Sequence, residues 1–376
     1  MSIIIGADIV PTKSNIFDFE SGCLTDIIDD DLINLLASVD YRVFNLEVPL
    51  VDIESKIDKA GPNLIASVKS CNGLKSLNVN LFTLANNHIM DQGVAGLIST
   101  MNTLKKHCID YVGVGENLQD AERTKFVDLK GKRIGFYACC EHEFSIASET
   151  TPGANPVDYY NLKKQIQESK DSCDYLIVLY HGGKEHYRYP SPNLQNLCRK
   201  IIDAGADLVI CQHNHCIGSA EVWGNGTIVY GQGNFLFDSC DNEFWNTGLL
   251  IYLDDFCNVR YIPIIKHRNG VRLANNQEKE ELLKQFEKRN GCIKDPIFVK
   301  KTYAEYSKNY LWNYTMMFRN ESLFFKIINK IMKNKLRICA PQKLNKENLL
   351  AMKNFIECDA HREMFIEGIT ELLRRK

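Results

Sequence analysis

The chain has 376 residues, 45 Lys+Arg against 47 Asp+Glu, and a formal net charge of -2. Hydrophobic residues make up 45% and charged residues 24%, the balance of a globular protein able to bury a core without disulfide or metal staples. The missing basic excess argues against a nucleic-acid binder, and 14 scattered Cys without a CxxC pair argue against a disulfide-dense secreted scaffold.

The N-terminus, Met1-Ser2-Ile3-Ile4-Ile5-Gly6-Ala7-Asp8, lacks the basic stretch and long apolar core of a targeting segment. No later run approaches the ~18 apolar residues of a spanning helix. The expected compartment is therefore the cytoplasm, with reduced thiols that are mostly packing residues. Short apolar runs at Ile3–Ile5, Val43–Leu46, Leu81–Leu84, Ile134–Ala138, Leu176–Tyr180, Leu208–Cys211 and Thr227–Tyr230 read as strands buried on both faces. Between them, helical periodicity marks Asp30–Ser38, Asn63–Leu77, Val94–His107, Leu162–Lys170 and Asn193–Ala204. Such alternation predicts βαβ units and a largely parallel α/β core. From Leu249 the pattern changes to antiparallel pairs at Leu249–Leu253 and Val259–Ile265, so an α/β body is expected over residues 1–268.

Residues 269–376 are expected to form a helical, basic extension. Residues 319–376 hold 13 Lys+Arg against 7 Asp+Glu, which leaves residues 1–318 acidic. The segment from Phe324 to Lys333 alternates apolar and basic positions at helical spacing. Two readings are open for it: a helix that docks on a membrane surface or a synthase partner, or a helix packed on the body with a solvated basic face.

The polar residues of interest fall where strands end, the edge at which parallel α/β sheets bind ligands. The first strand delivers Asp8 and the second runs into Asn45-Leu46-Glu47-Val48-Pro49. The third runs into Asn86-Asn87-His88, followed by Asp91. Later strands end in His181-Gly182-Gly183-Lys184-Glu185-His186 and in Gln212-His213-Asn214-His215. Imidazoles, carboxylates and an amide together make a mixed N/O set suited to Mn²⁺, Fe²⁺ or Zn²⁺, whereas a thiolate site would enlist Cys. His-x-His aims both rings inward only if the chain turns there. His107, His267 and His361 stand apart from this set, and His142 is expected to be exposed. The Gly113-Val114-Gly115 and Gly231-Gln232-Gly233 stretches lack the spacing and Lys of a nucleotide cradle and read as turns. Cys211 and Cys216, which flank the His pair, read as packing.

With Gly6-Ala7-Asp8, Asn45-Leu46-Glu47-Val48-Pro49, Leu84-Ala85-Asn86-Asn87-His88-Ile89-Met90-Asp91-Gln92-Gly93, His181-Gly182-Gly183-Lys184-Glu185, His213-Asn214-His215 and Gly231-Gln232-Gly233-Asn234-Phe235-Leu236-Phe237-Asp238 in this order, residues 1 to about 265 resemble the CapA-like family of capsule and poly-γ-glutamate synthesis proteins, a branch of the calcineurin-like metallophosphoesterases. The resemblance implies a four-layer αββα sandwich with one or two divalent metal ions at its rim. By position, Asp8, Glu47, Asn87, His181, His213 and His215 match metal ligands, and His88 matches the histidine that protonates a leaving group. Asp91 either orients His88 through its other ring nitrogen or caps the helix near Gly93. The common Asp-x-His start is absent, since Asp8-Ile9-Val10 carries no histidine. One metal is then weakly held, or Glu185 or His186 supplies the replacement.

Lys184 and Arg188 are expected to hold an anionic substrate, with Glu185, His186, Asn45 and Asn234 near it and Tyr187 and Tyr189 placed to stack on a sugar ring. The alternative for this loop is a Pro-anchored turn with solvated charges. The expected function is a metal-dependent hydrolase or transferase on an anionic glycan or polymer precursor in capsule or exopolysaccharide synthesis. A non-catalytic assembly protein, or an amide-forming transferase on a carboxylated glycan or glutamyl chain, are the alternatives.

Overall fold

A computed structural model describes residues 1–237 and 242–318, and beyond these residues 327–328, 330–332, 346–357, 361, 366, 369–370 and 373. The strands in chain order begin with β1 (Ile3–Ile9), β2 (Tyr41–Leu46), β3 (Leu81–Thr83), β4 (Asp110–Val112), β5 (Val114–Gly115) and β6 (Lys125–Leu129). They continue with β7 (Lys132–Cys140), β8 (Gly153–Ala154), β9 (Tyr175–His181), β10 (Leu208–Gln212) and β11 (Ala220–Trp223). The last are β12 (Gly226–Val229), β13 (Asn234–Leu236), β14 (Thr247–Leu253), β15 (Val259–His267) and β16 (Gly270–Leu273).

Two sheets carry the body. The first has the order β16-β15-β14-β1-β2-β3-β4, with β13 also paired to β1, and the second β11-β12-β10-β9-β7-β6. They are parallel over β1–β2–β3–β4 and β7–β9–β10–β12, and antiparallel strands finish the β16 edge of the first sheet and both edges of the second. Side chains of a strand alternate between faces, and here the alternation separates two layers. Ile134, Phe136, Ala138, Ile177, Leu179, Leu208 and Ile210 pack toward the first sheet. Their neighbours Tyr137, Cys139, Leu176, Val178, Tyr180, Val209 and Cys211 pack with Leu162, Ile166, Leu197, Cys198 and Ile201 of the helices Leu162–Lys170 and Pro192–Asp203. The far face of the first sheet is covered by the helices Asp30–Ser38 and Gly93–Lys106 through Leu32, Leu36, Leu97, Met101 and Leu104. The result is the αββα sandwich.

Two expectations change. No helix spans Asn63–Leu77: the chain is extended through residue 66, and only Val68–Ser70 (one 3₁₀ turn) and Cys71–Ser76 are helical. Tertiary bonds override local periodicity there, with Ala66 N–H donating to the Pro49 carbonyl and Leu64 N–H to the Asp91 carboxylate. The compact body also runs past residue 268, over Met1–Lys300. β16 closes on β15, and helix Asn276–Cys292 buries Phe286 and Arg289. That helix starts with a capping box between Asn275 and Glu278, so its charged sequence concealed a packed element.

The second unit, Lys301–Lys376, contains most of helix Pro296–Phe318 and the helix Lys346–Glu357. Half of the basic segment Phe324–Lys333 lies outside the described residues. Among the described residues, no helix is long and apolar enough to cross a membrane.

Candidate metal centre

The parallel strands of both sheets bring their carboxyl ends to one rim. Asp8 lies near the end of β1, Glu47 one residue past β2, Asn87 in the turn after β3, His181 at the end of β9 and His213 one residue past β10. Register fixes the neighbours: Asp8 pairs with Asn45 and Asn234, and His181 with Gln212.

Two groups form there. Glu47, His181 and His213 make one, and Asp8, Glu47 and His215 the other, the ligand atoms of each lying within 4.8 Å of one another. Glu47 belongs to both. Asn87 joins the first group, its Oδ1 3.1 Å from His181 Nε2, with His213 Nδ1 3.2 Å and Glu47 Oε1 3.4 Å from that same nitrogen. In the second group, His215 Nδ1 lies 3.8 Å from Asp8 Oδ2.

The electrostatics of the cluster call for a cation. Asp8 and Glu47 are fully buried, and Asp8 Oδ2, Glu47 Oε1 and Glu47 Oε2 have no hydrogen-bond partner, an arrangement that buried oxygens rarely tolerate. Burial, and then the charge of Glu47, push the Asp8 carboxyl well above its usual range, and burial likewise raises Glu47. Burial holds His181 and His213 well below the ordinary imidazole range, so both rings are neutral and ligand-competent. Mixed imidazole, carboxylate and amide donors with orphaned oxygens fit a divalent metal.

The surrounding shell holds these groups in place. Asn45 donates to Asp8 Oδ1 (2.8 Å), lies 3.3 Å from His181 Nδ1, and is held by Asn86, whose Nδ2 is 3.1 Å from Asn45 Oδ1. Asn234 Oδ1 meets His215 Nδ1 at 2.9 Å. Such partners orient metal-binding rings. Asn45 and Asn234 are buried, and both hold neighbouring cluster residues in place.

The turn required of His-x-His is present in the backbone, since φ is +85° at His213 and +53° at His215. Left-handed φ at a residue with a Cβ costs about 1–3 kcal/mol and persists where surrounding structure imposes it. Asn214 supplies the anchor: its Nδ2 donates to the Tyr230 carbonyl at 3.0 Å and its Oδ1 accepts the Cys216 N–H at 3.3 Å. Gly231 is what permits this. A Cβ there would lie 1.9 Å from Asn214 Nδ2, and its φ is +145°.

His88 stands beside the cluster, close enough for its charge to act on Glu47, His181 and His213. Its Nδ1 meets Asp91 Oδ2 at 2.6 Å, and Asp91 also accepts the Leu64 N–H at 2.6 Å. Asp91 does not cap the following helix, whose N-cap position is Gln92. Lys59, on the extended loop before Leu64, pairs with Asp91 and lies 3.3 Å from His88 Nδ1, with its side chain 2% exposed. No motif marked Lys59. Only the loop's path brings it there.

The loop after β9 departs from expectation at several points. His186 is engaged by the segment after β13: its Nε2 accepts the Trp245 indole N–H at 2.7 Å, and its ring stacks on Phe244 at 5.5 Å. Trp245 in turn lies 4.8 Å from the His215 ring and the His186 ring 6.1 Å from it, so His186 stands beside the second ligand group with its Nε2 taken by the indole. Val10, in the place of the missing Asp-x-His histidine, is buried among core apolar residues. Arg188 donates to the Ile217 carbonyl at 3.1 Å and lies over Phe244 at 4.7 Å. Tyr187 and Tyr189 meet edge to face, and Tyr189 also meets Phe298 in that way. The charge of Glu185 reaches Glu47 and that of Lys184 reaches His213. Glu141 was missed: its carboxylate accepts the Gly183 N–H at 2.9 Å, and its backbone N–H donates to the His181 carbonyl at 3.1 Å, clamping the turn that carries His181. His142 is exposed, as expected. Cys216 is buried, and burial pushes its thiol up to about 12, which removes it as a nucleophile.

Residues 11–239 match the family model described as bacterial capsule synthesis protein PGA_cap, more than half of the chain. The chain belongs to that family. It is 32% identical over 223 residues to the capsule biosynthesis protein CapA of Bacillus anthracis, covering 57% of this chain and 54% of that one. With the PGA biosynthesis protein CapA of Bacillus subtilis it shares 33% over 205 residues, covering 53% of each. The chain thus spans about half the length of the curated PGA_cap relatives it matches. Among solved structures, a phosphatase from Mycoplasma pneumoniae aligns with 14% identity over 71% of this chain and 94% of that one, at a TM-score of 0.47. Strand order and layering define the sandwich independently of that alignment.

Proposed function

We propose that this protein is a metal-dependent hydrolase that cleaves a phosphoester in an anionic glycan or polymer precursor during capsule or exopolysaccharide synthesis. The observation that carries the reading is Glu47, whose two unpartnered buried oxygens lie between two sets of ligands beside the His88–Asp91 pair. Asn87, His181, His213 and Glu47 would hold one ion, and Asp8, Glu47 and His215 a second. Mn²⁺, Fe²⁺ and Zn²⁺ fit the donor set. A bound divalent ion supplies Lewis-acid polarisation of a phosphoryl oxygen and a lower pKa for water.

The chain's own residues supply the remainder. Asp91 holds His88 at Nδ1, leaving Nε2 to keep a proton for a departing oxygen. Lys59, paired to Asp91, fixes that carboxylate from its other side. Trp245 and Phe244 shield His215 and His186 from water. The test is phosphate release from a panel of phosphoesters and nucleotide sugars by Mn²⁺-loaded protein, with His88→Ala as control. The variant should keep its metal and lose turnover roughly 10²–10⁴-fold. No phosphate from any substrate at stoichiometric metal refutes the reading.

Val10, where the Asp-x-His histidine would stand, favours a second reading, in which the fold binds polymer or a synthase without turnover. Under it, purified protein holds less than about a tenth of an equivalent of metal, and EDTA leaves its stability unchanged.

A further inference from the structure

Helix Asn276–Cys292 lies beyond residues 11–239 that match the PGA_cap family, yet it delivers a cation next to the metal rim. Arg289 is 9% exposed. Its Nε donates to the Gly218 carbonyl at 2.6 Å, and among the described residues its two Nη groups meet no acceptor and no carboxylate. The adjoining carbonyl, Ile217, takes Arg188 Nη1, and Arg188 likewise has no carboxylate partner among the described residues. The two guanidiniums therefore meet neighbouring carbonyls on the backbone that follows His215, and among the described residues no anion balances either. Burial, and then the positive charge of Arg188, bring Arg289 down to about 10.

Both cations are fixed in place. Asn290 Oδ1 accepts the Ala220 N–H at 2.7 Å, the Ile293 carbonyl accepts Gln195 Nε2 at 3.0 Å, and Phe286 is fully buried, so the helix end cannot swing Arg289 into solvent. Phe244 covers Arg188 on one face. A nine-tenths-buried arginine is rarely kept without an anion on its fork, and that fork matches the two oxygens of a carboxylate or phosphate.

We propose that Arg188 and Arg289 form an oxyanion subsite beside the metal centre that takes a second carboxylate or phosphate of the same polyanionic substrate. The proposal rests on the functional reading only in placing the reacting group at the metal. The substrate class is then a chain with at least two anionic groups, one at the metal rim and one at the arginine pair.

The test is isothermal titration of the full-length protein, EDTA-treated and Mn²⁺-loaded, with tripolyphosphate and with a penta-glutamate peptide. Wild-type protein should bind at least one probe with an affinity that falls as salt rises. Arg289→Gln and Arg188→Gln should each weaken that binding about tenfold or more in both metal states, with unchanged melting temperature and metal content. Arg289→Lys, which keeps the charge and loses the fork, should recover only part of the loss. Weakening confined to tripolyphosphate assigns the subsite to phosphoryl groups, and weakening confined to the peptide assigns it to carboxylates. Unchanged affinity in both Gln variants, or no binding of either probe by wild type, overturns the subsite. Arginine-dependent binding without metal uptake overturns only the hydrolase reading. If Arg289→Gln does not fold, Arg188→Gln on the surface loop decides alone.

Discussion

Replacing Glu47 with Gln should change stability in opposite directions with and without metal. In EDTA-treated protein, Asp8 and Glu47 are two buried carboxyl groups within hydrogen-bonding reach of each other, and the only donor between them is a proton that the pair must take up. The side-chain amide introduced by Glu47→Gln donates one N–H to Asp8, and a hydrogen bond to a charged group is worth about 1.5–3 kcal/mol. At about 2–4 °C per kcal/mol for a domain of this order, the variant should melt roughly 3–12 °C above wild type. With metal at 100-fold its Kd, wild type gains about 2.7 kcal/mol, or roughly 5–11 °C by the same conversion. Glu47→Gln removes the carboxylate that both ligand groups share, so that increment should vanish. Differential scanning fluorimetry with EDTA and with Mn²⁺ reads both numbers. A variant less stable than wild type in EDTA, or one that keeps the full metal-induced rise, refutes the shared-ligand geometry.

The same geometry sets three other outcomes. His213→Ala and His215→Ala should each reduce bound metal, measured by elemental analysis, whereas His142→Ala, an exposed residue outside the cluster, should leave it unchanged. Burial keeps His181 and His213 neutral in the folded chain, while unfolded imidazoles take up protons below about pH 6.5. Their stabilising contribution is therefore present above that pH and lost as pH falls through it: the melting temperature of EDTA-treated protein should drop from pH 7.5 to 5.5, and a His181→Gln/His213→Gln double variant should show a smaller drop. Gly231→Ala forces a Cβ to within 1.9 Å of Asn214 Nδ2 at a φ of +145°. It should lower stability by about 1–3 kcal/mol in denaturant titration and weaken metal binding, because Asn214 holds the turn between His213 and His215.

Much of the site was legible because its residues sit at strand ends. Apolar runs buried on both faces mark parallel strands wherever they fall, and Asp8, Glu47, Asn87, His181, His213 and His215 follow such runs directly. What each neighbour does was not legible. Asn45 and Asn234 looked as available to substrate as Asn87, and only pairing of their strands with β1 buries them against Asp8 and His215. His186 looked like a spare ligand until the fold brought Trp245, 59 positions away, onto its nitrogen. The segment Asn63–Leu77 carried a helical period, but bonds to Pro49 and Asp91 hold its first part extended, and that extension places Lys59 beside His88.

Composition and strand-end chemistry by themselves determined an α/β protein with a divalent-metal donor set, since periodicity and ligand type are local properties of the chain, and the family resemblance added His88 as the acid candidate. The tertiary structure alone decided that Glu47 is shared by two ligand groups, that Asp91 serves His88 and not the helix, and that Arg289 and Arg188 reach adjacent carbonyls. These depend on which distant segments share a rim, and that is set by the register of two sheets and the packing of a charged helix whose sequence showed no sign of a site.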